Sequence, residues 1–346
     1  MDLYILNSSL NEIAIIDGYA SLIWTKRYYS PGDFELYIPA DKNLLEYLQM
    51  GNFIRREDDD TVMVIETIQI KTDVENGDFF TVTGRSLESI VARRIFISQT
   101  QLNGTIAQVI HQALYDNVLG IYDGNTTNRT IRNFIIGEMC ETSETISQQA
   151  SYENIEELLE EICRAYSYGW RIIINANNQM EFQLYKGNET EVIFSNEFDN
   201  LLTTEYVISK ENYKTFVKVL GEGEGKTRRG LNIDITQSSG IERYELYVDA
   251  RDVSSNNGEI GNQDYLELLR ERGYEKLKEY SITQAFSGEI NPSSTYKYKT
   301  DYNLGDIVTV ETDYGISSHP RIVEIIENWD ETGYKIVPTF EEMEVE

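Results

Sequence analysis

The sequence predicts a β-rich α+β fold, in which two antiparallel β-barrel domains flank a smaller inserted α+β domain. Apolar and polar residues alternate along much of residues 1–96 and again from residue 201, which is typical of half-buried strands. Between these segments apolar residues recur at helical spacing, and a strand pattern near the start of the chain returns near its end. At 346 residues with 40% hydrophobic residues, the chain is long enough for two or three domains. We place the domains at 1–96, 97–200 and 201–346.

The first 96 residues are predicted to be mostly antiparallel strands. Phe34, Leu36 and Ile38 alternate with polar neighbours, as expected for a strand with one buried face. A hairpin should follow, with arms over 52–56 and 61–70 and an acidic turn between them. This succession of neighbouring strands favours a meander over a parallel sheet.

Residues 97–200 are predicted to form the inserted α+β domain. Its clearest helix begins near Ser151 and ends before Gly169. The apolar face of this helix has residues at i, i+3, i+4, i+7, i+8 and i+11: Ile155, Leu158, Leu159, Ile162, Cys163 and Tyr166. A hairpin with arms over 170–174 and 180–185 should follow it.

From residue 201 the strand patterns return and indicate the second barrel domain. One helix interrupts them over about 264–280, with Asp264 as the candidate N-cap residue. The last strands are predicted over 305–311 and 321–329.

A short pattern in the first barrel domain recurs in the second. Two pairs of segments are alike: residues 51–54 with 305–308, and residues 64–68 with 322–326. This alignment places Glu66 opposite Glu324. The likeness is either a true internal repeat or a chance similarity between two hairpins, since short strand patterns carry little information. A true repeat would place two similar barrels in each chain, and a threefold axis would turn them into a ring of six.

The charge balance excludes some classes of partner. The chain has 30 lysines and arginines against 59 aspartates and glutamates, a net charge of −29 at pH 7. Such a protein repels duplex DNA and anionic membranes, so we expect neither as a binding partner. Cys140 and Cys163 are too few for a disulfide framework and should be buried thiols. Because the N-terminus lacks a secretion signal, we expect synthesis in a cytoplasm without export.

A glycine-rich segment resembles a phosphate-binding loop at first sight. It contains Gly221, Gly223 and Gly225, followed by Lys226. A phosphate loop needs a helix after it, whose N-terminal amides receive the phosphate, whereas residues 231–235 have a strand pattern. We favour a hairpin tip that is mobile or contacts a partner over a nucleotide site.

No pattern for catalysis or metal binding is present in the sequence. The acidic turn lacks the twelve-position calcium loop, and His111 and His319 have no second ligand at metal spacing. We therefore predict no catalytic, cofactor or metal site, and expect the acidic turn to be solvated. The residues predicted to contact partner proteins are Glu57, Asp58, Asp59, Asp60, Gly221, Gly223, Gly225, Arg228 and Arg229.

Three longer stretches point to a family. They are YSPGDFEL at 29–36, GRSLESIVARRI at 84–95 and FSNEFDNLL at 194–202. They resemble signature segments of the siphophage and prophage tail hub proteins of the ReqiPepy6 type, which are similar to the N-terminal hub portion of tail-associated lysins and to myophage baseplate hub proteins. The resemblance extends over nearly the whole chain and is structural rather than catalytic.

The resemblance implies a structural role in a phage tail tip. It implies two tube-type β-barrel domains per chain and a homotrimer that joins the tail tube to a fibre, spike or lysin. The implied partners are other copies of the chain, the distal tail protein, the tape measure protein and a tail fibre or lysin. DNA would pass through the ring without specific binding, and we expect much of the negative charge to line that bore. The implied location is the tail tip of the virion, where the host is attached.

A second reading of the function stays open. The chain could bind or degrade cell-wall polysaccharide, since an acid and base pair of carboxylates is defined by separation in space and not by sequence. Lysin-bearing relatives continue into a hydrolase domain, whereas this sequence stops at Glu346, soon after the last predicted strand. We therefore expect a non-enzymatic protein without a cofactor.

Overall fold

A computed structural model describes residues 1–75, 77–122, 125–126, 128–291, 293–311, 314–315 and 317–341. Within these residues the β-rich α+β class is confirmed. Strands dominate, and the largest sheet has eleven of them.

The N-terminal part contains two facing sheets. Its elements are β1 (Leu3–Leu6), β2 (Glu12–Ile16), β3 (Ser21–Arg27), β4 (Asp33–Pro39), α1 (Lys42–Leu45), β5 (Phe53–Arg56), β6 (Val62–Val64), β7 (Thr67–Lys71) and β8 (Phe79–Arg85). One sheet has the order β2-β1-β5-β6, and the strands β3-β4-β8-β7 belong to the eleven-stranded sheet. Leu3, Ile5, Trp24, Leu36 and Val82 fill the core between them.

The prediction of a single hairpin arm over 61–70 is wrong, because this segment contains two separate strands, β6 and β7. The amide of Ile65 donates to the Asn52 carbonyl of the first sheet at 2.8 Å. The next amide, that of Glu66, donates to the Thr83 carbonyl of the second sheet at 3.0 Å. The chain therefore crosses from one sheet to the other between these residues, which an unbroken strand pattern does not reveal.

The middle part begins after a 3₁₀ helix at Leu87–Arg93. Its elements are β9 (Thr100–Thr105), α2 (Ile106–Asn117), β10 (Ile121–Tyr122), β11 (Asn125–Thr126), β12 (Phe134–Met139), β13 (Thr145–Ala150), α3 (Ile155–Tyr166), β14 (Gly169–Ile174), β15 (Met180–Tyr185) and β16 (Glu189–Ser195). The predicted helix and the hairpin after it are both present. The helix α3 starts at Ile155 instead of near Ser151, since the Asn154 side chain accepts the Glu156 amide at 2.9 Å and caps it.

The C-terminal part contains the remaining strands and the longest helix. Its elements are β17 (Glu205–Ser209), β18 (Phe216–Leu220), β19 (Gly230–Asp234), β20 (Glu245–Asp249), α4 (Asn262–Glu279), β21 (Thr283–Ser287), β22 (Ile307–Glu311), β23 (Ser317–Ser318), β24 (Arg321–Asp330) and β25 (Gly333–Glu341). The prediction that Asp264 caps α4 is wrong, because Gly261 is the N-cap residue. Asp264 lies in the first turn, where a carboxylate suits the helix dipole.

The residues between β17 and β21 form a separate unit. Strands β18, β19 and β20 make their own three-stranded sheet, and α4 packs on it through a core that includes Val217, Val219 and Leu269. The largest core of the protein lies around α2 and α3 and extends to Leu6 and Val64 on the N-terminal side. Cys163 is buried in that core as expected, whereas Cys140 is only partly buried.

The eleven-stranded sheet contains the same strand arrangement twice. Its main path has the order β17-β21-β25-β24-β3-β4-β8-β7. We call β3 to β8 the N-terminal unit, and β17, β21, β22, β24 and β25 the C-terminal unit. In the N-terminal unit β3 pairs with β4, β4 with β8, and β8 with β7. In the C-terminal unit β17 pairs with β21, β21 with β25, and β25 with β24 in the same order. The path is open at both ends, so pairing within the described residues does not close the sheet into a barrel.

The repeat extends to single hydrogen bonds. The Gly51 amide donates to the Ile65 carbonyl at 2.8 Å, and the Gly305 amide donates to the Ile322 carbonyl at 2.8 Å. The two glycines have similar positive φ angles, +88° and +93°. Ile65 therefore corresponds to Ile322, and the register predicted from Glu66 and Glu324 is wrong by one residue. When both segments alternate apolar and polar residues, the sequence alone does not decide between alignments that differ by one residue.

The two equivalent glycines should tolerate substitution differently. A Cβ on Gly305 would lie 2.3 Å from the buried Tyr28 ring, whereas one on Gly51 would meet nothing within 4 Å. Gly51→Ala should lower the free energy of unfolding by about 1–2 kcal/mol through backbone strain alone. Gly305→Ala should lower it by about 3 kcal/mol or more, because overpacking adds to the strain.

Urea unfolding of both variants checks this, with Gly18→Ala as the control because its Cβ also meets nothing within 4 Å and its φ is not positive. Equal losses for Gly51→Ala and Gly305→Ala would contradict the packing around Tyr28.

Candidate functional site

The eleven-stranded sheet ends in two strands that each pair on one side only. Within the described residues β7 pairs with β8, and β17 pairs with β21. Both edges carry exposed apolar side chains: Ile70 on β7 is 52% exposed, and Val207 and Ile208 on β17 are 46% and 57% exposed. Strand edges of this kind are templates for pairing with another chain. These two edges are therefore the candidate site for assembly.

The chain itself contains a junction of the same kind. In the middle of the sheet, β24 of the C-terminal unit pairs antiparallel with β3 of the N-terminal unit. By the repeat, β24 is equivalent to β7, and β3 is equivalent to β17. The two free edges are therefore the counterparts of two strands that already pair with each other.

The two faces of the sheet differ. One face covers the cores, and the other is largely half-exposed and polar. We call the second the solvent face. Along the eight strands of the main path, its described residues include six carboxylates and four cations: Asp33, Glu35, Glu205, Glu324, Asp330 and Glu341, against Arg27, Lys71, Arg85 and Lys335. Only a small part of the net charge of −29 lies on this face.

The acidic turn after β5 is not fully solvated, contrary to expectation. Glu57 and Asp60 are exposed, and the Asp58 side chain is 53% exposed and pairs with Arg56 at 2.8 Å. Asp59 is different, since only 3% of its side chain is exposed. The contact of this turn with a partner stays a prediction, and Glu57 and Asp60 are its accessible residues.

Asp59 belongs to a group of charges that we call the charge cluster: Lys26, Arg56, Asp59, Lys299 and Glu327. Four of these side chains are buried, and Lys299 covers them from the surface with 36% of its side chain exposed. Asp59 lies 2.6 Å from the Lys26 ammonium and 2.8 Å from the Lys299 ammonium. Arg56, which has no exposed side-chain surface, pairs with Glu327 at 2.8 Å.

The charge cluster links the two units of the repeat. Arg56 ends β5 of the N-terminal unit, and Glu327 lies on β24 of the C-terminal unit, 271 residues away. The surrounding cations hold the pKa of the Asp59 carboxyl well below its usual value, although burial opposes this. Each of the five side chains lies within 4 Å of an oppositely charged group, as buried charges need to. Sequence reasoning missed the cluster because its members are far apart in the chain.

The glycine-rich tip between β18 and β19 is tied to its own unit. The Arg228 guanidinium donates to the Leu220 and Gly221 carbonyls at 2.5 and 2.8 Å and pairs with Asp249 at 2.6 Å. Arg229 pairs with the Glu222 carboxylate. A 3₁₀ turn and then β19 follow the glycines, with no α-helix to receive phosphate. Gly223 and Gly225 have φ angles of +109° and +51°, which suit a tight turn.

Within the described ranges, no group of three His, Cys, Asp or Glu side chains is arranged to hold a metal ion. None of the helices in that part of the chain is long and apolar enough to span a membrane.

Comparison with known protein families tests the family resemblance that the sequence suggested. The model of the Siphovirus ReqiPepy6 Gp37-like protein family matches residues 2–340. The chain belongs to this family. A search of curated protein sequences found no match.

Solved structures share the fold of this phage tail protein. It is similar to the prophage MuSo2 43 kDa tail protein from Shewanella oneidensis, with a TM-score of 0.61, 15% identity and 98% of each chain covered. It is similar to a tail protein from Neisseria meningitidis, with a TM-score of 0.60, 10% identity and coverage of 98% and 96%. The prophage tail protein gp18 from Listeria monocytogenes gives a TM-score of 0.55 at 13% identity, with coverage of 98% and 94%.

The predicted family resemblance is thus confirmed, and the chain is a structural protein of the phage tail or baseplate type. A non-enzymatic role is consistent with this family and fold.

The charge cluster gives a prediction about stability. Asp59→Asn leaves buried cations without their partner and should lower the free energy of unfolding at pH 7 by about 3 kcal/mol or more. The pKa of Asp59 is depressed from 3.8 in the folded protein, so its contribution is complete above that pH and is lost as the pH falls below it. The difference between wild type and variant should therefore narrow at acid pH.

Urea unfolding at pH 7 and at acid pH measures both effects. The control is Asp60→Asn in the same turn, whose exposed carboxylate should contribute within about 0.5 kcal/mol. An Asp59→Asn variant as stable as this control would contradict the role of the cluster.

Proposed function

We propose that three copies of this chain form a closed ring, the hub of a phage tail tip, by pairing β7 of each copy with β17 of the next. The observation that supports this most is the junction of β24 with β3, which pairs the strands equivalent to β7 and β17 within one chain. Two units per chain become six around a threefold axis. A contact between two different edges closes into such a ring when the rotation fits.

The repeat also gives the register of the proposed contact. In the junction Ile326 is opposite Thr25, and Glu327 is opposite Trp24. The equivalent residues place Gln69 opposite Val207 and Ile70 opposite Tyr206 of the next copy. Ile70 would then be covered at the interface, which accounts for an exposed isoleucine on a free edge.

In this proposal the solvent face of the sheet lines the bore through which DNA passes. Its charged residues are of mixed sign, with a small excess of carboxylates. DNA would therefore be weakly repelled and not bound. The six carboxylates of this face exceed its four cations by two, and the expectation that much of the negative charge lines the bore stays a prediction for the assembled ring.

The remaining parts of the hub proposal concern its neighbours. Each unit would serve as a tube-type barrel domain of the ring, with the domains bounded at 1–96, 97–200 and 201–346. The distal tail protein, the tape measure protein and a fibre, spike or lysin would dock at the ends of the ring. Glu57 and Asp60 of the acidic turn are exposed there for such contacts, and the glycine-rich tip is the second candidate. The hub would then be part of the virion, at the tail tip.

Charges placed at the two edges should abolish the ring. Wild-type protein at physiological salt should have the mass of three chains by light scattering, and a smaller mass at low salt, where repulsion between acidic chains is less screened. Ile70→Lys and Ile208→Lys should each give monomers, because both positions lie on the face of the edge strands opposite to the bore, where a buried lysine at the contact has no partner. Both positions are exposed in the single chain, so folding should be unchanged.

The matched control is Ile15→Lys, since Ile15 is 58% exposed and lies on β2, an edge of the other sheet. Ile15→Lys should leave the trimer intact. A wild-type monomer at every salt concentration, or equal dissociation by all three variants, would contradict the proposed contact.

A further inference from the structure

A cavity of about 210 Å³ lies between α4 and the middle part of the chain. Strand β13 and the end of α3 form one wall, and α4 forms the other. Contacts across it hold the two parts together: the Gln149 side chain accepts the Ser254 amide at 2.6 Å, and Lys276 pairs with Glu161 at 3.2 Å. The cavity therefore lies between two docked parts of the protein, where ligand sites are often found.

Two carboxyl groups of α4 line this cavity. Glu271 and Glu275 are four residues apart and so lie on the same face of the helix. The lining also contains two cations. Arg272 lies 3.0 Å from Asp252 and 3.5 Å from Glu275, and Lys278 donates to the Ala165 carbonyl at 3.1 Å. Among the described residues Glu271 has no ion pair, so it is the carboxyl group of the cavity that its own cations leave without a partner.

Gln148 adds a third acceptor. It lines the cavity and is 7% exposed, and its Oε1 atom has no hydrogen-bond partner among the described residues. A buried amide oxygen without a donor is unusual. Tyr166 and Tyr274 also line the cavity, and tyrosine rings attract cations.

We propose that this cavity binds an organic cation, an alkylammonium or guanidinium group, held by Glu271 and Glu275 with the Gln148 amide oxygen as a further acceptor. Such a group donates several hydrogen bonds in different directions, which matches two carboxyl groups and one amide oxygen. Its source is either a free polyamine or a lysine or arginine side chain of a neighbouring protein.

The electrostatics of the cavity agree with this geometry. Burial and the neighbouring Glu161 raise the pKa of Glu275 to about 8, and Glu153 adds to this rise. The cations Arg272 and Lys276 lower the same pKa and oppose the effect. Burial and the charge of Glu267 raise the pKa of Glu271. A bound cation would favour the ionised form of both groups. Binding at pH 7 should therefore release protons.

Calorimetry with the full chain tests the proposal, using L-arginine and its neutral analogue L-citrulline as probes. Wild-type protein should bind arginine at least tenfold more tightly than citrulline. Glu271→Gln and Glu275→Gln should each weaken arginine binding about tenfold or more. Asp264→Asn, on an exposed position of the same helix, is the matched control and should bind as wild type does.

Two further experiments identify the source of the cation and control for misfolding of the variants. Tighter binding of a short arginine-containing peptide than of free arginine or spermidine would assign the site to a protein side chain, and the reverse would assign it to a polyamine. Gln148→Met, which removes an acceptor but no charge, should also weaken binding in a protein whose thermal unfolding is unchanged. Equal binding of arginine and citrulline, no binding of any cation, or an equal loss in Asp264→Asn would overturn the proposal.

Discussion

The antiparallel pairing of β24 with β3 is the constraint on which the rest of the structure depends. It joins a strand from the end of the chain to one near its start and so makes one continuous sheet from two units. The inserted middle part and the three-stranded unit with α4 both leave this sheet and return to it. The same junction is also the model for how one copy of the chain would pair with the next, because its strands are the counterparts of the two free edges.

The charge cluster connects the two units at this junction through ion pairs. Lys26 lies on β3 and Glu327 on β24, while Arg56, Asp59 and Lys299 reach the cluster from the adjoining segments. Buried ion pairs contribute little net stability compared with apolar packing, but removing one partner is costly. Such a cluster therefore favours one relative placement of the two units over others. For a ring built from repeated units, a fixed angle between them is what allows closure.

Local patterns in the sequence predicted the local structure well. The spacing of Ile155, Leu158 and Leu159 predicted α3, and the likeness of the segments after Gly51 and Gly305 predicted the repeat. Features that depend on contacts between residues far apart in the sequence were not predicted. The burial of Asp59 requires Lys299 and Lys26 to approach it from far along the chain, and the split of residues 61–70 depends on a second sheet that only the folded chain provides. The free edges at β7 and β17 were likewise missed, since a strand pattern does not say whether its neighbour is present.

A disulfide across the proposed contact tests the central claim most directly. In a Cys140→Ser background, Gln69→Cys and Val207→Cys in one chain place two thiols opposite each other in the register inferred from the junction. On oxidation the account predicts a covalent species of three chains and no larger ones, because a closed ring leaves no free thiol. The off-register pair Gln69→Cys with Glu205→Cys should cross-link far less. Monomers only, or a ladder of increasing size, would contradict a closed ring made through β7 and β17.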